Sequence, residues 1–447
     1  MFSNAPARYG DKEGSVWALV WLHFFIADVQ TGMGPYLSFF LLGEAGWHAR
    51  DVGAAVGLGY LVSALVQIPI GAAIDLSRRK RELVVFGCVV VAAASLLLVF
   101  VTTRPVVFAT QMMVGVAGAI FPPALNALTL GLVGRKQMDP ETGRMQSVNA
   151  VGNLSVAVAA GAVGYGIAFR YLFLVLVGLC VMATIFTLRI RDRDVDHALA
   201  RGADDKPESE AVVDEPTGKE SVRSQVARDL RGMGDLVKDK RLLLFLAAVL
   251  LYNFAAAGIN PLFAGLLATA RGGGALPSDP ELKRQALRVA SLYTAGAQIL
   301  LQGVFALVAA RAGVLAASWG RKPLFLIGFG AIAARAFVYT LPFVIKSPYL
   351  LIASGAFNGV VAGISAVVVT LFTADLTRGT GRFNAAQGAI AVAVGLAASA
   401  SVTASGYVTD ALSKNAALWM LAGCAIAGLV YAWRVVPETK GVSGVRR

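Results

Sequence analysis

Gly71-Ala-Ala-Ile-Asp75-Leu-Ser-Arg78-Arg79-Lys80-Arg81 closes an apolar run that begins near Val52 and opens another that begins near Leu83. Four consecutive cations between two hydrophobic runs read as a basic turn joining two membrane-crossing helices. The arrangement returns about 240 residues later as Gly313-Val-Leu-Ala-Ala317-Ser-Trp319-Gly320-Arg321-Lys322, with the leading glycine and the basic pair at the same spacing. The chain therefore reads as two halves of one shape.

Composition agrees with a lipid environment. Of 447 residues, 57% are hydrophobic and 15% charged, with a mean hydropathy of +0.67, whereas soluble domains carry about 25% charged residues. A water-soluble globule is excluded. The formal net charge of +13 comes from cations in short stretches beside apolar runs, which argues for cytoplasmic loops and against nucleic-acid binding. Cys88, Cys180 and Cys424 each lie inside an apolar run, so neither a disulfide framework nor a metal-ligand spacing is visible, and no cofactor is expected. Asp11 and Glu13 stand beside Arg8 and Lys12 at the start, and no removable signal peptide is read there.

A hydrocarbon core about 30 Å thick needs about 20 apolar residues per crossing helix. The chain supplies such runs near residues 15–42, 52–74, 83–102, 106–134, 147–168 and 171–188, and again near 242–270, 287–312, 323–341, 349–374, 385–412 and 416–436. Arg78 to Arg81, Arg135, Lys136, Arg144, Arg321, Lys322, Arg378 and Arg382 fall on one side, which the positive-inside rule makes cytoplasmic together with both termini. The basic segment after the seventh span, with Arg271, Lys283, Arg284 and Arg288, falls on the other side and is read as a surface hairpin or lid. Three regions follow: residues 1–190 as a six-helix transmembrane bundle, 191–241 as a solvated cytoplasmic linker, and 242–447 as a second bundle with a cytoplasmic tail. Within the linker, Val222, Val226, Leu230, Met233 and Val237 recur at helical intervals. They predict either an amphipathic helix on the inner leaflet or a solvated linker helix.

The repeat extends further. Thr142-Gly-Arg144 precedes the fifth span and Thr380-Gly-Arg382 the eleventh, while Gly115, Gly118, Ala119, Pro122 and Asn126 in the fourth span are echoed by Gly355, Asn358, Gly359, Ala362 and Ala366 in the tenth. With the repeated basic turn, which is similar to a G-x-x-x-D-x-x-G-R-K loop, the sequence resembles the major facilitator superfamily of secondary transporters. That resemblance implies an all-α polytopic membrane protein of twelve transmembrane helices in two six-helix bundles, working by alternating access as a monomer in a bacterial inner (plasma) membrane. It implies partners in the lipid bilayer and a small-molecule substrate at the interface between the halves.

Individual residues carry the expected mechanism. Gly71 admits close approach of a neighbouring helix. Asp75 stands where its carboxylate meets the positive end of a helix beginning near Asn384, or Arg382; in proteins this sequence resembles, that contact latches the cytoplasmic ends. Ala317 replaces the aspartate in the second copy and Arg78 replaces a glycine in the first, so the latch is expected to be one-sided, carried by Asp75 and Arg79, with Gly313, Gly320 and Arg321 marking the echo. Gly32-Met-Gly34-Pro35 and Gly258-Ile-Asn260-Pro261 are expected to interrupt the first and seventh spans at corresponding places, as outer-gate elements or as packing kinks. Asp28 lies about 12 residues, or about 18 Å, into the first span, sharing a helix face with Gly32 and Pro35. An ionisable group at that depth marks a functional site by default: Asp28 either takes a proton during the cycle, pairs with a cationic part of the substrate, or bonds a neighbouring helix. His23 falls off that face and reads as structural. Arg335, at similar depth in the ninth span, is expected to bond Gln298 or Gln302. Gln30, Asn126, Asn260 and Asn358 are candidate cavity residues or helix–helix ties.

Finer assignment stops there. The fifth span reads Asn149-Ala-Val-Gly152-Asn153 and lacks the proline pattern of proton-driven drug exporters, while Pro437 to Gly441 matches the tail of sugar porters. Phe254 and Ala255 stand where those porters carry glutamines. Proton-coupled movement of a small organic solute or drug-like compound, export ahead of uptake, is the favoured expectation, with a sugar or solute uptake symporter as the alternative. A non-transporting receptor or membrane enzyme is the more distant reading. No Walker loop, His-Glu-x-x-His helix or nucleophile elbow occurs in the chain.

Overall fold

The computed structural model describes residues 10–31, 34–167, 169–197, 240–270, 279–376 and 383–439. The amphipathic stretch from Val222 to Val237, Gly32, Arg378 and Arg382 lie outside them. The described residues are helical throughout, without strands. Six spans build the first half: Glu13–Phe25 continued by Gly34–Phe39, then Ala49–Leu76, Lys80–Phe100, Arg104–Val133, Arg135–Gly166 and Leu172–Arg189. The second half repeats them as Lys240–Ala257 continued by Ile259–Thr269, then Pro280–Trp319, Arg321–Val338, Pro348–Leu376, Phe383–Ala411 and Lys414–Val435. Ten of these helices are long and apolar enough to cross a membrane by themselves. The other two are the broken first span and the ninth, whose 18 residues include Arg321, Lys322 and Arg335.

Buried apolar side chains fall into two clusters. One runs from Val16 to Val195 with Ala264 and Ala290 added from the second half, and the other from Leu242 to Val436. Between them the second span packs on the eleventh, the fifth on the eighth, and the outer pieces of the first and seventh on each other. Small residues permit this closeness, because van der Waals contact rather than hydrophobicity drives helix association in lipid. A Cβ on Gly53 would lie 2.6 Å from the Val402 carbonyl oxygen, and one on Gly161 2.7 Å from Cβ of Ala295.

The contacts are lopsided along the bundle axis. Asp410 accepts from the Ala49 and Arg50 amides, the Ser291 hydroxyl donates to the Gly161 carbonyl and Arg288 to that of Ile167. All of these sit at the end of the molecule away from the chain termini. At the terminus end, Cβ positions on Gly71, Gly313 and Gly388 meet no other atom within 4 Å. Among the described residues, the close approach expected at Gly71 is therefore not made.

Each half also ties its basic turn to the chain leaving its last span. Arg81 donates to the Ile190 carbonyl in the first half. In the second, the Glu438 carboxylate accepts from the Arg321 and Lys322 amides at 3.0 and 3.1 Å, capping the ninth span. Gly320 has φ +107°, and a Cβ there would lie 2.5 Å from the Glu438 carboxylate, so both backbone and space require glycine. Arg321 pairs with Asp375 at 2.9 Å, which also accepts from the Thr439 hydroxyl at 2.7 Å.

Two sequence expectations change here. Of the segment expected to form a hairpin or lid after the seventh span, residues 271–278 lie outside the described residues, and the rest is helical from Pro280, capped by Asp279. Lys283, Arg284 and Arg288 thus stand on the first turns of a 40-residue eighth span, about 60 Å long and so about twice the hydrocarbon thickness. The start of the linker is packed rather than solvated: Asp194 is buried and accepts from Ser15 at 2.5 Å, and the same hydroxyl accepts from the Arg191 amide.

Candidate functional site

The first span breaks at Asp28. Helix stops at Phe25, residues 26–31 turn and wind one short 3-10 segment, and helix resumes at Gly34. Sequence placed the break at Gly32 to Pro35; the structure puts it earlier, with Pro35 as the second residue of the new helix, where its missing donor costs nothing. Asp28 and Pro35 consequently share no continuous helix face. Asn149 of the fifth span donates to the His23 carbonyl at 3.2 Å, just before the break.

In the seventh span the interruption is confined to Gly258, whose own φ and ψ remain helical at −65° and −20°. The eleventh span mends it. The Ser401 hydroxyl accepts from the Gly258 amide at 2.9 Å and donates to the Phe254 carbonyl, while Ser405 reaches the Gly258 carbonyl at 3.4 Å. These serines were missed in sequence, where two hydroxyls four apart in an apolar run look like ordinary intrahelical bonding. Corresponding spans thus do the stitching in both halves, the fifth for the first and the eleventh for the seventh.

Beside this joint lies Arg335, 2% exposed. Its guanidinium donates to Asn358 at 2.9 Å, Asn260 at 3.0 Å and the Tyr339 hydroxyl at 3.3 Å. It also lies over the rings of Phe263 and Tyr339, 5.8 and 5.5 Å from their centroids. The expected bonds to Gln298 or Gln302 are not the ones made. Instead the seventh and tenth spans each aim an asparagine at the ninth, because the ninth packs against the tenth and touches the seventh.

Arg335, Asn260, Asn358 and Gln298 line a cavity of about 190 Å³, to which the first half contributes Ser38, Val56 and Tyr60. Pro261 and Val402 are shared with a larger cavity of about 280 Å³ that reaches Ala49 and Lys414 at the far end. Val56 and Tyr60 are shared with a third, of about 140 Å³, lined by Gln30, Gln111 and Ser63. The three spaces therefore adjoin, the first two lined by both halves and the third by the first half. Asp28 lines none of the three; it lies on the half-buried turn two residues before Gln30, which lines the third, and within electrostatic reach of the buried Tyr36.

The remaining candidates scatter. Asn126 is exposed on the fourth span and lines none of these cavities. Arg79 is exposed and pairs with Glu82 at 3.6 Å, while Arg382, one of the partners expected for Asp75, lies outside the described residues. Asp75 lies in the last turn of the second span.

A profile of the Major Facilitator Superfamily matches residues 19–278. Two uncharacterised MFS-type transporters from two strains of Mycobacterium tuberculosis are 34% identical over 422 residues, covering 94% of this chain and 93% of theirs. Among solved structures, the nucleoside transporter NupG superposes with a TM-score of 0.71 at 16% identity, covering 94% of this chain and 98% of its own. The peptide transporter POT superposes at 0.67 and 13%, covering 94% and 93%. These two likenesses concern the fold. From the profile and the mycobacterial relatives together, the chain belongs to the major facilitator superfamily.

Proposed function

We propose that this transporter moves a small organic solute by proton-coupled alternating access, with Asp28 as the group that takes the coupling proton. The observation that carries the reading is the central cavity: both halves line it, and it lies between the two broken spans. With both termini in the cytoplasm, as the cationic loops imply, the packed end is the outer one and the conformation faces inward. Export is favoured over sugar uptake because Phe254 and Ala255 replace the glutamines that a sugar porter would present. A break in the first span supports the role of Asp28, since broken spans at the midplane are where carriers build their ion and substrate sites.

The test uses purified protein in liposomes with any solute found by thermal-shift screening. Asp28→Asn abolishes accumulation driven by a pH gradient and preserves counterflow, which needs no net proton movement. If the variant still concentrates solute against its gradient, Asp28 is not the coupling group.

A further inference from the structure

We infer that the central cavity binds an organic anion, its carboxylate or equivalent group held by Arg335; this rests on the carrier reading above.

A guanidinium stays ionised at every accessible pH, and a cation buried at membrane depth is costly unless it is compensated. Every described partner of Arg335 is neutral: two amide oxygens, one phenol and two ring faces. Such groups solvate the charge without cancelling it. Carboxylates within the second half are out of reach or engaged. The seventh, ninth and twelfth spans contain no Asp or Glu. The tenth has only Asp375, at its end and bound to Arg321. The eighth has only Glu281, in its first turn, and the eleventh only Asp410, at the far end. Across the junction the first span offers Asp28, which is neutral when it carries the coupling proton. A protonated carrier therefore keeps one uncancelled positive charge in its central cavity, and an anionic ligand supplies the counter-charge.

Geometry agrees. Of the five guanidinium N–H donors, the three bonds named above use three, and Arg335 itself lines the cavity. Two donors are left for the planar, two-point contact that guanidinium makes with a carboxylate. Gln298, Tyr60 and Ser38 add neutral hydrogen-bonding groups on the other walls. The space of about 190 Å³ holds about six waters' worth of liquid, and Phe263 gives it an apolar side. A compact aromatic or branched carboxylate fits this description better than a polyanion, which would need several cations.

The experiment is a thermal-shift titration of the full-length protein in detergent with benzoate and with benzamide, equal in shape and different in charge. Benzoate stabilises the wild type and benzamide does not. Arg335→Gln weakens the benzoate response by about tenfold or more, while Arg335→Lys and Asn358→Ala, which keep the cation, retain the preference for benzoate. The proposal is overturned if benzoate gives no shift, if the two probes shift the wild type equally, or if Arg335→Gln binds benzoate undiminished. Counterflow separates this from the broader reading. Transport of a neutral solute with Arg335→Gln fully active defeats the anion site and leaves the carrier, whereas charge-selective binding without any counterflow does the reverse.

Discussion

Asp410 belongs to the second half and caps a helix of the first. The second span starts at Ala49, and His48 before it supplies no side-chain cap. Asp410 instead accepts from the Ala49 amide at 3.2 Å and the Arg50 amide at 3.0 Å. Replacing it by alanine removes an N-cap, typically about 1 kcal/mol, and a negative charge at a helix N-terminus, about 0.3–1 kcal/mol. The site is exposed, so the electrostatic part falls at the lower end and the total is about 1.3 kcal/mol. Because the bond joins the two halves at the packed end, that energy is lost from one conformation only. The ratio of far-end-open to far-end-closed protein therefore rises about tenfold, 1.4 kcal/mol being one decade. Nitroxides at Arg170→Cys and Leu412→Cys, one on each half, report the ratio by pulsed dipolar spectroscopy once Cys88, Cys180 and Cys424 are replaced. An unchanged distance distribution in Asp410→Ala would refute the reasoning, because it would mean that the cap persists in both conformations or contributes nothing in either.

Two local predictions follow from the joints. Ser401→Ala leaves the Gly258 amide and the Phe254 carbonyl without their shared hydroxyl, at a cost of about 1–3 kcal/mol for buried groups; thermal unfolding in detergent reads it, and Ser401→Thr recovers most of the loss. Gly320→Ala combines φ +107° with a Cβ 2.5 Å from the Glu438 carboxylate, so melting falls in a way that Glu438→Ala relieves only in part, the backbone strain remaining.

Legibility in the sequence followed the range of the interaction. Apolar runs and basic turns are local and periodic, so the spans and the repeat were readable from residues 15 to 436. Asp28 was found by its depth alone. Its break was placed late because Gly32 and Pro35 are the stronger helix breakers, yet proline is harmless at the start of a new helix, and the old helix had already ended at Phe25. Asn260, Asn358 and Arg335 were each named, but their convergence was not. They are separated by 75 and 23 residues, and no spacing encodes which faces of the seventh, ninth and tenth spans meet. Asp410 gave no signal, since one carboxylate at a span end resembles a solvated surface group until the partner helix is seen to begin beside it.

The same geometry gives the aspartate of the opening motif a counterpart. The second and eleventh spans run antiparallel in contact, and each carries an aspartate in its last turn, Asp75 next to Leu76 and Asp410 next to Ala411. Asp410 caps the start of the second span at one end. Asp75 is expected to meet the start of the eleventh, near Asn384, at the other. Two antiparallel helices that each cap the other cannot hold both contacts when the halves rock, because closing one end parts the other. Each aspartate then stabilises one conformation, and their effects oppose. Asp75→Ala lowers the far-end-open fraction, Asp410→Ala raises it, and the double variant returns the nitroxide ratio to within about threefold of the wild type, since caps of similar type contribute similar energies. If the double variant behaves like Asp410→Ala alone, Asp75 holds nothing shut, and the basic turn serves only to fix which side of the membrane the loop occupies.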